Sequence, residues 1–359
     1  MRTSARTGSR TSGCGTGPDL PLPSASVTAV LFTCAGQRVD IVTAFREAGA
    51  TTISADVDPL APALYHSDRR AIVPLVDDPG YVAALRNLVE LHDVRLIVPL
   101  TDLDHLVLAE NRDELADAGA IVLVPDPEAI RRCADKYLAH LFFEEQGIGT
   151  PPTWLPGELP DDLRFPVLVK ARRGFGSRHI YRAGDRAELD FFLRYTTADS
   201  MVQSQCLGEE FSVDVFCDVD GRCLAAIPRT MIESKGGESI KGMTIADPDL
   251  IEHGRRVSEA LRIIGPANVQ CFREPDGHLE VTDVNPRFGG GFPLPTAAGS
   301  RYPELALALA VGERPEPRFG DFREGVVMTR YFAQVILEDA GGTLEPLREQ
   351  AEEAVTPEA

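Results

Sequence analysis

From residue 27 the chain alternates short apolar runs with longer segments in which apolar residues recur every three or four positions. The apolar runs predict four buried strands, and the segments between them predict helices. Strands that alternate with helices in this way are typical of a parallel α/β sheet. The four predicted strands, quoted by sequence, are VTAVLFTC, TTISAD, RLIVPL and AIVLVP.

The pattern changes after residue 125. Residues 125–147 predict one long helix, with Pro127 near its start and Gly147 at its end. Short β-rich pieces follow, and they predict an α+β region. Those pieces are Phe165–Ala171, Ser177–Arg182, Ser200–Cys206, Phe211–Val219 and Arg222–Arg229, followed by a helix (Pro248–Ile264), a hairpin (Ala267–Val284) and helical residues from Leu294 to Val311.

Both ends of the chain lack a folded pattern. Residues 1–26 are rich in Ser, Thr, Gly, Arg and Pro and have no apolar core of a signal peptide, so they predict a disordered tail. From Glu338 to Ala359 there are seven acids and one arginine, which predicts a solvated acidic tail.

Composition narrows the class of protein. The chain has 359 residues, enough for two or three domains, and no apolar run approaches the roughly 18 residues that a membrane span needs. The net charge of −19 disfavours nucleic acid as a partner. Seven cysteines are scattered singly without a CxxC pair, which predicts reduced thiols in the cytosol and no zinc site.

The densest chemistry lies in the stretch GHLEVTDVNPRFGGG, residues 277–291. Asp276-Gly277 predicts a two-residue hairpin turn, which places Gln270 opposite Asp283 with Asn285 on the same face. In that register Phe272, Leu279 and Val281 share this face. A carboxylate there needs compensation, and three converging oxygens suit Mg²⁺. The alternative is a capped hairpin end with Asn285-Pro286 as a turn.

Other segments carry groups that suit phosphates and a nucleoside. Lys170 ends a strand and precedes the Gly-rich turn Gly174–Ser177, where small residues let backbone amides approach phosphate oxygens. The break Gln205–Gly208 could present backbone groups to a base edge, and Glu210 could accept from ribose hydroxyls. For each segment an ordinary turn or bend is the alternative.

Taken in order, these pieces resemble the ATP-grasp superfamily, and specifically its carbamoyl-phosphate-synthetase-like carboxylate-amine ligase branch. The resemblance covers residues 27–312, and its most specific part is NVQCF…LEVTDVNPRFGGG. It implies a Rossmann-like N-terminal domain at residues 27–125. A two-lobed ATP-grasp fold would follow, with the small lobe and its flap at residues 126–202 and the metal-binding lobe at residues 203–335, before the tail at 336–359.

The resemblance also implies roles for individual residues. Lys136 and Lys170 would touch the nucleotide phosphates, Gly174, Gly176 and Ser177 would belong to the flap, and Arg287 would sit on the γ-phosphate and the acyl-phosphate. The adenine hinge would be Gln205, Cys206 and Leu207, with Glu210 on ribose and Mg²⁺ (or Mn²⁺) on Gln270, Asp283 and Asn285. Arg229, Lys235 and Lys241 would lie beside the triphosphate and bind a substrate carboxylate or phosphate.

The implied activity is an ATP-dependent ligase that converts a carboxylate to an acyl-phosphate and joins it to an amine. The implied partners are small-molecule acids and amines and a second copy of the chain. One departure from the family is Asp283, where relatives usually have Glu, and a shorter carboxylate suggests one metal ion instead of two. A nucleotide-binding sensor without turnover is an alternative. A nicotinamide-dependent oxidoreductase is another, but the turn TCAGQRVD contains only Gly36 and lacks the G-x-G-x-x-G loop.

Overall fold

The structure is a computed structural model that describes residues 28–174, 179–235 and 238–337. The predicted tail at residues 1–26 and almost all of the acidic tail lie outside the described residues. No helix within the described ranges is long and apolar enough to cross a membrane.

The first part of the chain forms a five-stranded parallel sheet in the order β3-β2-β1-β4-β5. The prediction of a parallel α/β sheet is confirmed, and all four predicted strands are present. The sequence missed the edge strand β3, whose two exposed arginines break the apolar pattern. The strands are β1 Ala29–Thr33, β2 Thr51–Asp56, β3 Arg69–Ile72, β4 Val94–Pro99 and β5 Ile121–Val122.

Four helices accompany this sheet. The helical pattern predicted after the third strand divides at Asn111, which ends one helix and begins the next. The helices are α1 Val39–Glu47, α2 Tyr81–His92, α3 His105–Glu110 and α4 Arg112–Asp117.

The long helix predicted over residues 125–147 is wrong in one respect, because it is two helices, α5 Pro127–Ala134 and α6 Lys136–Glu145. Asp135 has extended backbone angles and caps α6 by accepting hydrogen bonds from the backbone N–H groups of Tyr137 and Leu138. Its buried carboxylate also receives Arg172 at 2.7 Å. The break therefore places the start of α6 against Arg172, which precedes the predicted flap.

Asp135→Asn should therefore destabilise the protein by about 1–3 kcal/mol at neutral pH, because a buried charge-assisted pair is lost. Burial alone would raise the pKa of Asp135, but hydrogen bonds from Arg172 and from the two backbone amides outweigh it and hold the pKa low. The wild-type advantage should be complete above about pH 4 and vanish as the pH falls through the lowered pKa. Urea unfolding from pH 7 to pH 3 measures it.

Asp190→Asn is the matched control, since Asp190 forms an exposed pair with Arg186 and should cost less than about 1 kcal/mol. Equal stability of the Asp135 variant and the wild type at pH 7 would contradict this account of the break.

The rest of the chain builds three antiparallel sheets. The small sheet has the order β6-β9-β7-β8 and the large sheet the order β11-β10-β14-β15, while a three-stranded sheet has the order β12-β13-β16. Their strands are β6 Thr153–Trp154, β7 Val167–Ala171, β8 Ile180–Ala183, β9 Ser200–Ser204, β10 Glu209–Cys217, β11 Cys223–Thr230, β12 Glu233–Lys235, β13 Glu238–Met243, β14 Gly265–Arg273, β15 Leu279–Asn285 and β16 Val327–Thr329.

Four further helices cover these sheets. Helix α8 packs on β10 and β11, confirming the helix predicted from Pro248, although it ends four residues earlier than predicted. The helical region predicted from Leu294 is interrupted at Gly299. The helices are α7 Arg186–Tyr195, α8 Pro248–Ala260, α9 Pro293–Ala298 and α10 Tyr302–Ala310.

One hydrophobic core joins the parallel sheet to the large sheet. Phe45 of α1 lies edge-on to Phe288, with ring centroids 6.0 Å apart, and Phe288 contacts Phe292 in turn. The small sheet has a separate core around Val167, Val169 and Leu189. The parallel and large sheets therefore form a common base, and the small sheet packs within itself.

Candidate active site

The β14–β15 hairpin brings Gln270 directly opposite Asp283, as predicted. The predicted two-residue turn is wrong, because Arg273 pairs with Leu279 and the loop is the three residues Pro275–Gly277, closed by positive φ at Gly277. A β-bulge at Thr282 restores the register before Asp283. The extra loop residue and the extra residue at the bulge each shift the pairing by one, so their effects cancel at Gln270 and Asp283.

The bulge also changes which side chains share a face. Leu279 and Val281 were expected beside Asp283, but Val281 is buried in the core beneath the sheet and Leu279 packs against the same core. Phe272 and Thr282 line the cavity together with Asp283. The face of the predicted metal ligands is thus largely polar, because the extra residue moves Asp283 out of the apolar alternation.

A cavity of about 290 Å³ lies between the small and large sheets. Nine of the site residues predicted from the sequence line it. They are Lys136, Lys170, Gly174, Glu210, Arg229, Gln270, Asp283, Asn285 and Arg287.

Asp283 is the centre of a chain of polar contacts. Its Oδ1 lies 3.2 Å from Lys136 Nζ, and its Oδ2 accepts from the amide of Asn285 at 3.3 Å. The Asn285 oxygen accepts from Arg287 Nη2 at 3.4 Å. Lys136 therefore neutralises the carboxylate here, and the same ammonium also donates to Gly174 O at 3.3 Å.

Arg287 is held by a residue that the sequence did not reveal. Its Nε donates to Asp102 Oδ2 at 3.0 Å, and Asp102 lies in the turn after β4 of the parallel sheet. Buried His105, in α3, lies 3.7 Å from the other Asp102 oxygen. Asp102 and Arg287 are 185 residues apart in the sequence, so no local pattern could predict this pair.

Lys170 is deeply placed beside Glu210. Its Nζ donates to Gln203 Oε1 at 2.7 Å. Burial lowers the pKa of Lys170, while the negative charge of Asp283 opposes that shift. Burial raises the pKa of Glu210, and Lys170 opposes it. Both groups thus line the cavity, and the pKa of each depends on burial and on the opposite charges nearby.

The segment predicted as the adenine hinge, Gln205–Leu207, follows β9 and does not line the cavity that the described residues form. Backbone amides here already have protein partners. Leu207 N and Gly208 N both donate to the Glu274 carboxylate, the former at 3.0 Å. Cys206 Sγ lies 3.4 Å from Glu280, and the Gln205 side chain accepts from Arg182. Oxygen and sulfur atoms of Cys206, Glu274 and Glu280 lie within 4.8 Å of one another, and none of these three residues belongs to the predicted metal-ligand set.

Arg229 is fully buried beneath the cavity. Its Nε pairs with Asp214 at 2.8 Å and its Nη1 donates to Ser239 at 3.1 Å. Asp214 also accepts from the Asn268 amide at 2.8 Å. Arg229 is therefore part of a satisfied buried network whose guanidinium forms one wall of the cavity.

Gly291 leaves the room that Arg229 occupies. A Cβ at this position would lie 2.4 Å from Arg229 Cζ. Gly291→Ala should therefore displace the guanidinium and cost about 1–3 kcal/mol of stability, measured by urea unfolding. Gly157→Ala is the control, because a Cβ there meets nothing within 4 Å. Equal stability of the two variants would contradict the steric account.

The remaining predicted residues lie elsewhere or outside the described ranges. Lys241 pairs with Glu233 across β12 and β13 and does not line the cavity that the described residues form. The side chain of Lys235 is not described, and Gly176 and Ser177 lie outside the described residues. All six cysteines in the described part are free thiols.

A Rossmann-like parallel sheet, followed by two antiparallel sheets that enclose a cavity with two lysines, two arginines and two carboxylates, is the arrangement of an ATP-grasp fold. Two family models match: "PylC-like, N-terminal domain" over residues 30–123 and "ATP-grasp in the biosynthetic pathway with Ter operon" over residues 196–331. Residues 196–331 therefore match an ATP-grasp family, and the chain is similar to the carbamoyl-phosphate-synthetase-like branch of that superfamily.

Curated relatives are similar over most or part of the chain. The carbamoyl phosphate synthase large chain of Deinococcus radiodurans is 26% identical over 322 residues, which is 80% of this chain and 30% of the relative. That of Agathobacter rectalis is 28% identical over 173 residues, or 44% of this chain and 16% of the relative. The chain thus spans less than a third of the length of these relatives.

Solved structures share the fold. The L-amino acid ligase from Bacillus licheniformis has a TM-score of 0.64 at 18% identity, covering 81% of this chain and 76% of that one. The N5-carboxyaminoimidazole synthetase from Staphylococcus aureus, complexed with ADP, has a TM-score of 0.67 at 16% identity and covers 91% and 86%.

Proposed function

We propose that this protein is an ADP-forming ligase that activates a small-molecule carboxylate with ATP and joins it to an amine. The observation that carries the proposal is the convergence of Lys136, Asp283, Asn285 and Arg287 in one contact chain within the cavity. The solved structures that share the fold include an amino acid ligase and a synthetase complexed with ADP, which supports the same class of chemistry.

In this proposal, the nucleotide lies between the small and large sheets. Lys170 and Lys136 place two ammonium groups against the phosphates, and Glu210 accepts from the ribose hydroxyls. Gly174, exposed at the start of the flap, allows the backbone to approach the phosphates closely. The base lies at the strand end formed by Gln205, Cys206 and Leu207.

Gln270, Asp283 and Asn285 would hold the divalent cation. The donor set fits, because a carboxylate and two amides on paired strands give oxygen ligands, and the Asp283 carboxylate already has a cationic neighbour in the Lys136 ammonium. When bound, Mg²⁺ or Mn²⁺ would neutralise phosphate charge. With one carboxylate in the set, we propose a single ion.

The residues around the phosphates act through position and charge. A substrate carboxylate oxygen attacks the γ-phosphorus, the bond to the β-phosphate oxygen breaks, and ADP leaves. Arg287 stabilises the charge on the transferring phosphoryl group, and Asp102 holds its guanidinium in place. The amine then attacks the acyl carbon, orthophosphate leaves with the bonding electron pair, and the amine releases a proton.

No histidine or cysteine lines the cavity formed by the described residues. A mechanism that depends on positioning and charge needs neither, since the attacking groups come from the substrates. We extend the proposal to the predicted division of the chain at residues 125, 202 and 335 and to a homodimer, both of which follow the superfamily.

A screen for ADP release tests the function. The full chain is mixed with MgATP and with amino acids or small peptides, each offered as acid and as amine. We expect ADP release with at least one pair and much less when either member is omitted. A protein that binds MgATP but releases no ADP with any pair would instead be a nucleotide sensor.

A further inference from the structure

The glycine loop, defined here as residues 288–291, has carbonyl groups that accept hydrogen bonds from both near and distant parts of the chain. The near donors are Arg287 Nη1, 3.2 Å from Phe288 O, and the Phe292 amide, 3.1 Å from Gly289 O. The distant donors are arginines. Arg38 Nη1 donates to Phe288 O and Arg38 Nη2 to Gly289 O, each at 3.0 Å. Arg330 Nη2 donates to the Gly290 carbonyl. Three consecutive peptide oxygens therefore face cationic donors.

Arg38 is itself fixed in place. It lies between β1 and α1 of the parallel sheet, 250 residues before Phe288, and its side chain is only 12% exposed. Both oxygens of Asp40 contact its guanidinium at 3.2 Å, and Asp40 lies 3.9 Å from Arg330. A bidentate carboxylate leaves this guanidinium little rotational freedom.

The direction of the carbonyl groups determines the direction of the amides. In a planar trans peptide the N–H points opposite to the C=O, so the amides of Gly289, Gly290 and Gly291 point away from Arg38 and Arg330. Gly290 and Gly291 line the cavity. Within the described residues, none of these three amides donates a hydrogen bond to a protein acceptor. Successive free amides of this kind suit an anion.

The loop is also packed tightly from below. A Cβ at Gly289 would lie 2.8 Å from Asp214 Oδ1, and one at Gly291 would meet Arg229. The buried Asp214–Arg229 pair therefore limits movement of the loop on one side, and Arg38 fixes its carbonyl groups on the other. Its amides can be aligned in advance of any ligand.

We propose that Arg38, oriented by Asp40, is a positioning residue for the phosphoryl-transfer site. By holding the carbonyls of Phe288 and Gly289, it keeps the neighbouring amides aimed at the oxyanion that forms in the cavity. The inference rests on the proposed function, because it assigns a ligand to the same cavity. The proposal assigns the orientation of the loop amides to Arg38, which follows a strand of the parallel sheet. That sheet contributes no lining residue to the described cavity.

The test separates anion binding from nucleotide binding in the full chain. The dissociation constant of MgADP is measured by calorimetry with and without orthovanadate, which mimics the transferring phosphoryl group. For Arg38→Ala we expect MgADP to bind within about twofold of wild type, while the tightening by vanadate falls by about tenfold or more. Arg38→Lys, which keeps one donor, should lie between them.

Arg46→Ala is the matched control. Arg46 lies on α1 and, like Arg38, donates to a backbone carbonyl, that of His66, but at an exposed position. This variant should behave as wild type. Asp40→Asn is the second variant if the Arg38 variants do not fold, and it should reduce the vanadate effect by about threefold or more, because the guanidinium loses its charged partner.

Each outcome bears on one proposal. Vanadate binding that is equal in wild type, Arg38→Ala and Asp40→Asn would overturn the positioning role. So would a wild-type protein that binds MgADP but gains nothing from vanadate. A wild-type protein that binds no MgADP at all would overturn the proposed function itself.

Discussion

Replacing Arg287 with alanine should lower turnover by about 10²–10³-fold while ATP binding largely survives. The guanidinium lies in the cavity wall with Nε on Asp102 and Nη2 on Asn285. The proposed negative charge on the γ-phosphoryl group increases during transfer. A donor aimed at that charge contributes more to the transition state than to the bound nucleotide.

Steady-state ADP release and MgADP calorimetry together measure the effect. Arg287→Lys keeps the charge but loses the planar guanidinium that contacts Asp102, Asn285 and the Phe288 carbonyl, so we expect it to recover only part of the turnover. Arg186→Ala, which removes an exposed arginine of α7, should leave both measurements unchanged. Turnover of the Arg287→Ala variant near the wild-type value would show that the site assignment is wrong.

Replacing Asp283 with asparagine should weaken Mn²⁺ binding in the presence of ADP by at least about tenfold. Asp283 is the one charged member of the predicted ligand set, and even residues that merely support metal ligands typically contribute a factor of 10–100. The substitution also removes the partner of Lys136, so an uncompensated ammonium would face the cavity. The lost ligand charge and the unpaired Lys136 ammonium both weaken the binding of Mn²⁺ at this position.

Titration of Mn²⁺ followed by electron paramagnetic resonance, with ADP present, gives the affinity directly. Asp276→Asn makes the same chemical change at the exposed tip of the same hairpin, where the partner is His278, and should leave Mn²⁺ affinity unchanged. If both variants bound Mn²⁺ like wild type, the metal would have to lie elsewhere. Cys206, Glu274 and Glu280 would be the next residues to replace.

The alternation of strands and helices predicted the class of fold because period and strand length are local properties. The parallel sheet, the large antiparallel sheet and the ATP-grasp assignment all follow from such patterns and from the order of motifs. What the pattern missed was β3, where Arg69 and Arg70 occupy an exposed edge and no apolar alternation marks the strand. It also missed the break at Asp135, which depends on the distant Arg172.

The pairing of Gln270 with Asp283 was predicted correctly, although the predicted two-residue turn was wrong. The Asp-Gly signal identified the hairpin, but neither the third loop residue nor the bulge at Thr282 is evident from propensity alone. Asp102 is 185 residues from its partner Arg287 in the sequence, and Arg38 is 250 residues from its partner Phe288. No local signal reports them, because they exist only once two sheets have packed together.

The bulge at Thr282 makes the site end of the hairpin independent of one residue of the strand's length. Val281 and Asp283 occupy the positions that adjacent residues of a regular strand would occupy, one in the core and one in the cavity. A chain without residue 282 would keep the same pairs on both sides of it. Deletion of Thr282 should therefore leave Gln270 opposite Asp283 and remove only the side chain that residue 282 adds to the cavity wall.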